Sequence, residues 1–360
     1  MALTQRYCDP DLATGANDGT SEADAWQSLA AMASNYAAGQ LINLKKTASD
    51  HDPGSDVTLA TSAGATTPIY LRAYETTPGD GGLFQMTGSS RFQITGDAIL
   101  TEGLLVERTS GVGGAAFSVT GDNCWLYRCE GDGTGMTGNS NGISITDGTA
   151  TCCRGIVNSS SATSQGISAT RTCLESCWGQ ATNGRSFLFS AAFRQFSVAR
   201  CIAVGDGTAG SSGYFIDGIN SSGSIGFQEC LAYNVADGFH FDEMSDINDA
   251  AYVTAIRCAV YNVTNGFYNN QSGVTESTVG LINNAIGNAA TARYSGFGDL
   301  PLPDDITLAA DPFVDAANGD FTLNERSVCR STWPTTGTRC SRSLRRLAAG
   351  ARRSTNNSGR

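Results

Sequence analysis

Asp217 and Asp242 stand four residues after Gly213 and Gly238, in the segments Gly213-Tyr214-Phe215-Ile216-Asp217 and Gly238-Phe239-His240-Phe241-Asp242. If the two glycines mark the same corner of successive turns of chain, the carboxyl groups stack about 5 Å apart. Carboxyls at that separation suit double displacement at a glycosidic carbon, one donating a proton and the other attacking. The same pair could hold a hard cation or form a solvated acidic row. Glu243 adjoins the pair, Asp237 sits at the turn, and His240 is one of only two histidines, with His51.

Aromatic residues recur at the same corners. Tyr214, Phe239 and Phe267 follow their glycines directly, and Phe215, His240 and Tyr268 come one step later. Alternation along a strand sends one row to the core and the other to solvent. Tyr233 and Tyr261 form a further pair, each three residues after a cysteine. Tyr214, Tyr233, Tyr261 and Tyr268 are therefore candidate sugar-stacking residues, with core filling as the competing role.

These residues need a scaffold that repeats, and the cysteines supply one. Cys129, Cys153, Cys177, Cys201, Cys230 and Cys258 are separated by 24, 24, 24, 29 and 28 residues, each near the end of a short strand-like run. A period in this range means stacked coils, none able to bury its apolar face alone. The six thiols are expected to lie above one another as a free, buried ladder, running back to Leu105 and ending at Asn284. Cys152, next to Cys153, cannot share its face. No Cys-x-x-Cys pair accompanies a His, so no metal site and no cofactor is expected.

A second marker, a glycine followed by a short strand, occurs at Gly142, Gly166, Gly184, Gly213, Gly238 and Gly266. Glycine suits a corner where φ is positive or backbones pack closely. Two markers and a third short run per period predict an all-β, right-handed single-stranded parallel β-helix. Residues 39–325 hold about 11 coils, a rod on the order of 50 Å long. Residues 1–38 read as a cap, with a helix from Glu22 to about Tyr36 placing Trp26, Leu29, Met32 and Tyr36 on one face.

Residues 1–325 carry 34 acids against 14 bases, whereas the last 35 residues hold nine arginines and no acid. An acidic body argues against nucleic acid. The 326–360 tail, with Arg339, Arg342, Arg345, Arg346, Arg352 and Arg353, reads as an attachment arm, and Cys329 and Cys340 could pair with each other or with another chain. No run of 18 apolar residues predicts a membrane helix. The opening Met1–Arg6 lacks a basic segment followed by an apolar one, so Sec-type secretion is not expected.

The opening Tyr7-Cys8-Asp9-Pro10, with Gly15-Ala16-Asn17-Asp18-Gly19-Thr20-Ser21 and Trp26, resembles the entry of right-handed parallel β-helix proteins of the pectin-lyase-like superfamily. Ala310-Asp311-Pro312-Phe313-Val314-Asp315 and Gly319-Asp320-Phe321-Thr322-Leu323 resemble their last coil. That resemblance admits polysaccharide lyases, glycosidases, epimerases, and non-enzymatic phage spikes and decoration proteins. The acidic ligand cluster and strong base of pectate lyases find no matching positions; the only lysines are Lys45 and Lys46, and Arg200 and Arg257 are out of register with the Asp217/Asp242 pair. The leading expectation is a non-enzymatic structural or adhesive virion protein of a tailed phage. It would be a homotrimer on the virion surface, made in the host cytoplasm, joined to other virion proteins through its tail and touching host polysaccharide. The alternatives are a polysaccharide depolymerase using Asp217 and Asp242, with His240 and Glu243, and a carbohydrate-binding adhesin.

Overall fold

The computed structural model describes residues 2–190, 195–217, 224–242, 252–270, 279–297, 306–308, 310–311, 313–316 and 320–323. Eleven parallel strands make one continuous sheet, from Thr4–Cys8 through Gln40–Lys45 to Val279–Ile282. The other two sides of each coil join in a seventeen-stranded sheet, because strands such as Leu231–Asp242 and Ala259–Asn269 run across both. The chain is a parallel β-helix, as its period predicts. Ten strands from Gln40–Lys45 to Val279–Ile282 bound nine complete turns, fewer than the expected 11. Beyond them, among the described residues, Ile306–Leu308 still stacks on Ala285–Ser295, and Phe313–Asp315 and Asp320–Leu323 form an antiparallel hairpin.

The cysteine ladder is present. All six thiols are free and fully buried. Each Sγ donates to the carbonyl two residues earlier, as Cys153 does to Thr151 O at 3.4 Å and Cys201 to Ala199 O at 3.4 Å. Burial pushes the thiols of Cys153, Cys201 and Cys258 upward, which keeps them protonated. Asn284 completes the row as predicted: its Oδ1 accepts from Cys258 N at 2.9 Å. At the other end the register is one residue off. Glu130 pairs with Leu105, so the buried Leu104 sits beside Cys129 and Leu105 faces outward. Cys152 is disulfide-bonded.

The residue before each ladder position carries the bend. Arg128, Cys152, Ser176, Arg200, Glu229, Arg257 and Asn283 all have φ between 53 and 55°. That left-handed region is uncommon for residues other than glycine. Two of the arginines at this bend make ion pairs to the preceding coil, Arg200 with Glu175 and Arg257 with Glu229.

The marker glycines serve the other purpose foreseen for them. Gly142, Gly166, Gly213, Gly238 and Gly266 stack in register, and none has a positive φ. A Cβ on Gly238 would meet Val260 Cγ1 at 2.4 Å and Gly266 O at 2.5 Å. Gly184 is not in this row; Ser186 fills its place, two residues along.

Inside the coils Phe187, Tyr214, Phe239 and Phe267 stack at centroid distances of 5.1, 4.6 and 4.9 Å. The helix at the entry is shorter than expected, Leu29–Asn35, because Ser28 caps it by accepting from Ala31 N at 3.0 Å. Trp26 instead bridges to Cys8, and Leu29 and Met32 close the first coil's core.

Candidate active site

The outer face carries two groups of acids, one foreseen and one not. In the foreseen group Asp217 and Asp242 are register partners, one strand spacing apart. Asn270 Nδ2 donates to Asp242 Oδ1 at 3.0 Å. Arg185 joins them from the preceding coil, its guanidinium 3.5 Å above the Phe215 ring. Burial lowers the Arg185 value, and the charges of Asp217 and Asp242 pull it back. His240 is less exposed than its strand position suggests, at 14%. Its ring lies between Phe215 at 4.6 Å and Tyr268 at 4.7 Å. His240 Nδ1 is 2.9 Å from Asp237 Oδ2, and Asn265 Nδ2 donates to Asp237 Oδ1 at 2.8 Å. Glu243 lies outside the described residues.

The second group sits just past the cysteine corner, on Leu104–Glu107, Glu130–Asp132 and Arg154–Asn158. Register places Glu107 beside Asp132 and Glu130 beside Arg154, all pointing outward because Leu104, Cys129 and Cys153 point in. Arg154 Nη1 donates to Glu130 Oε1 at 3.2 Å, with 12% and 9% of the two side chains exposed. Burial pushes the Glu130 carboxyl up to about 7, against the opposing pull of Arg154. The half-buried Glu107 is raised too, first by burial and then by Asp132 and Asp50. Gln85 Nε2 donates to both Asp50 Oδ2 and Glu107 Oε2 at 3.2 Å. Thr134 N donates to Asp132 Oδ1 at 2.8 Å.

This group holds a pairing that glycoside chemistry uses: a carboxyl raised by burial, Glu107, with a second carboxyl, Asp132, about one strand spacing away. The sequence does hold its signal. Glu130 and Arg154 each follow a ladder cysteine, so applying the ladder period to the outward neighbours aligns them. Among the described residues no three His, Cys, Asp or Glu side chains gather as a metal site.

The tyrosine candidates divide. Tyr214 belongs to the core; it is fully buried and its Oη donates to Cys201 O at 2.7 Å, so it offers no sugar-stacking face. Tyr268 lies on the outward row beside His240. Tyr233 and Tyr261 face outward and stack at 6.3 Å, but the C-terminal hairpin packs over Tyr233, with Phe321 at 5.3 Å and Phe313 at 6.1 Å. Lys45 and Lys46 are held by Asp9 and Glu75, each at 2.8 Å. Arg339, Arg342, Arg345, Arg346, Arg352, Arg353, Cys329 and Cys340 lie outside the described residues.

No protein-family model matches this chain, and no curated protein does. Solved structures do. A pectate lyase, Pel9A, superposes with a TM-score of 0.61 at 16% identity, covering 90% of each chain. A rhamnogalacturonan lyase gives 0.55 at 13%, covering 86% of this chain and 90% of its own. These likenesses show the parallel β-helix fold. They also correct the leading functional expectation of a non-enzymatic virion protein: the stack it was based on is one that polysaccharide lyases share over nearly their whole length.

Proposed function

We propose that this protein is a polysaccharide depolymerase acting on the outer face of its β-helix, with Glu107 and Asp132 as the reacting pair. The observation that carries this reading is the in-register pairing of Asp132 with a Glu107 raised by burial, above the Glu130–Arg154 pair. Glu107 gives its proton to the glycosidic oxygen as that bond breaks, while Asp132 meets the anomeric carbon. Water then displaces Asp132 from that carbon, and Glu107 regains a proton by taking one from the attacking water. Arg154 sets a fixed positive charge against the neighbouring Glu130, worth more in this part-buried setting than in water. The likeness to a pectate lyase and a rhamnogalacturonan lyase supports a polymeric sugar as substrate.

The Asp217/Asp242 pair is the second reading, favoured by its register and by Arg185 within its field. A guanidinium there would also neutralise a uronate carboxylate, the first requirement of β-elimination. Incubation with polygalacturonate, rhamnogalacturonan and alginate tests both. Hydrolysis gives new reducing ends alone; elimination adds the ultraviolet absorbance of an unsaturated uronate. We expect reducing ends that vanish in Glu107→Gln and Asp132→Asn. Cleavage that survives both substitutions and is lost in Asp217→Asn moves the site to the second pair.

A further inference from the structure

We propose that Trp178, Tyr233 and Tyr261 form a sugar-binding track, and that the C-terminal hairpin is a strap that closes it until polymer enters. The inference builds on the depolymerase reading by extending the same outer strip. Outward positions run in register from Arg154 to Trp178, Ile202 and Leu231, and from Asp132 through Ile156, Gln180 and Val204 to Tyr233 and Tyr261. Trp178 lies two turns from Asp132 and Tyr233 four, about 10 and about 19 Å along the axis. A polysaccharide laid along the strip from the acid pair would pass over these rings, whose flat faces suit pyranose rings.

The strip is covered instead by the chain itself. Phe321 packs at 5.4 Å from Trp178 and 5.3 Å from Tyr233, and Phe313 reaches Tyr233 at 6.1 Å. Three features mark a strap and not an end plug. The hairpin is a separate two-stranded sheet, pairing with no coil strand among the described residues. It reaches back to Trp178, four register steps before Ala285 of the last ladder turn. Beneath it Trp178 Nε1 is buried with no hydrogen-bond partner, a donor that a sugar hydroxyl would satisfy. Opening it uncovers an apolar cluster in which Phe313 and Ala316 are buried with Leu231, Ala259, Ala285 and Leu308, while Tyr233 Oη lies 3.4 Å from Asp311 Oδ2, long for a hydrogen bond.

Binding is measured in an Asp132→Asn background, so that turnover plays no part, by calorimetric titration with polygalacturonate, rhamnogalacturonan and alginate. Phe313→Ala with Phe321→Ala should tighten binding of at least one polymer about tenfold, because the open state no longer competes with the closed one. Adding Trp178→Ala should remove that gain. Should the double variant fold poorly, the parent answers alone: polymer should speed amide exchange in 313–316 and 320–323 while leaving the strands at 178–182 protected. Equal or weaker binding by a folded double variant overturns the strap, as does unchanged exchange on binding, or no binding to any of the three. Cleavage by the unsubstituted protein is scored separately, so a failed depolymerase reading and a failed strap give different results.

Discussion

The two acid groups obey the same register, yet their carboxyls live in different surroundings. Around Asp217 and Asp242 the acids are met by polar partners: Asn270 on Asp242, with Asn265 and His240 on the neighbouring Asp237. Around Glu107 and Asp132 two more acids crowd in, Asp50 and the Arg154-paired Glu130, and burial raises both glutamates. A solenoid stacks like residues cheaply, so proximity alone distinguishes nothing. What separates the groups is how far water has been removed around an acid that has a carboxyl neighbour. Perturbed carboxyls gather where chemistry is done more often than along structural rows.

The largest effect should come from setting one group against the other. Glu107→Gln should cost about a thousandfold in kcat/KM, in the range expected when a general acid–base group is removed. Asp217→Asn and Asp242→Asn should stay within about tenfold of the parent, a change of roughly 1.4 kcal/mol or less. Steady-state kinetics on the polymer that is cleaved fastest decides between them, and the reverse order would exchange the roles of the two groups.

Next in size is the pH dependence built into Glu130. A carboxyl raised from 4.5 to about 7 binds more protons folded than unfolded across that interval. Stability therefore falls as pH rises through the window, by about 3 kcal/mol in all, and the loss is complete above the folded value. Thermal melts from pH 4 to 8 should show this slope in the parent and a flatter one in Glu130→Gln. The slope is diagnostic, not the midpoint, because Arg154 loses its ionic partner in the variant. An unchanged slope would mean that Glu130 ionises as freely in the fold as out of it.

How much of this could be read in advance follows from what each signal depends on. The coil stack was legible because Cys129 to Cys258 answer to one steric demand, a small apolar group at a tight inner corner. Asp217 and Asp242 were legible because both are counted from glycines that close packing fixes. Gly184 misled because it matches the motif but not the position; only strand pairing shows Ser186 in the row. Glu107 and Glu130 escaped because desolvation is a property of the assembled outer face, not of spacing. The cover over Tyr233 escaped for the same reason, since Phe321 is 88 residues away in the chain.

A smaller effect should confine damage to one group. Gly238→Ala forces a methyl against Val260 Cγ1 and the Gly266 carbonyl on the strand that carries His240 and Asp242. Overpacking of this kind costs about 1–3 kcal/mol. Hydrogen exchange should rise in 231–242 and 259–269 while 104–107 and 130–132 stay protected, because each coil touches only its neighbours. Cleavage should persist if the Glu107 group does the work.

The smallest expected change is also the most specific to the second group. Arg185→Leu removes a guanidinium stacked on Phe215 and takes a positive charge from beside Asp217 and Asp242. Losing the ring contact costs about 0.5–1 kcal/mol, while leucine restores part of the apolar cover, so the urea midpoint should move little. Salt supplies the sharper reading. If Arg185 matters through its charge, the gap between parent and variant should close as ionic strength rises, since screening acts on that term alone. If it matters as a flat cover on Phe215, the gap should ignore salt, and the Asp217/Asp242 row would then be held by register and by Asn270 without help from the arginine.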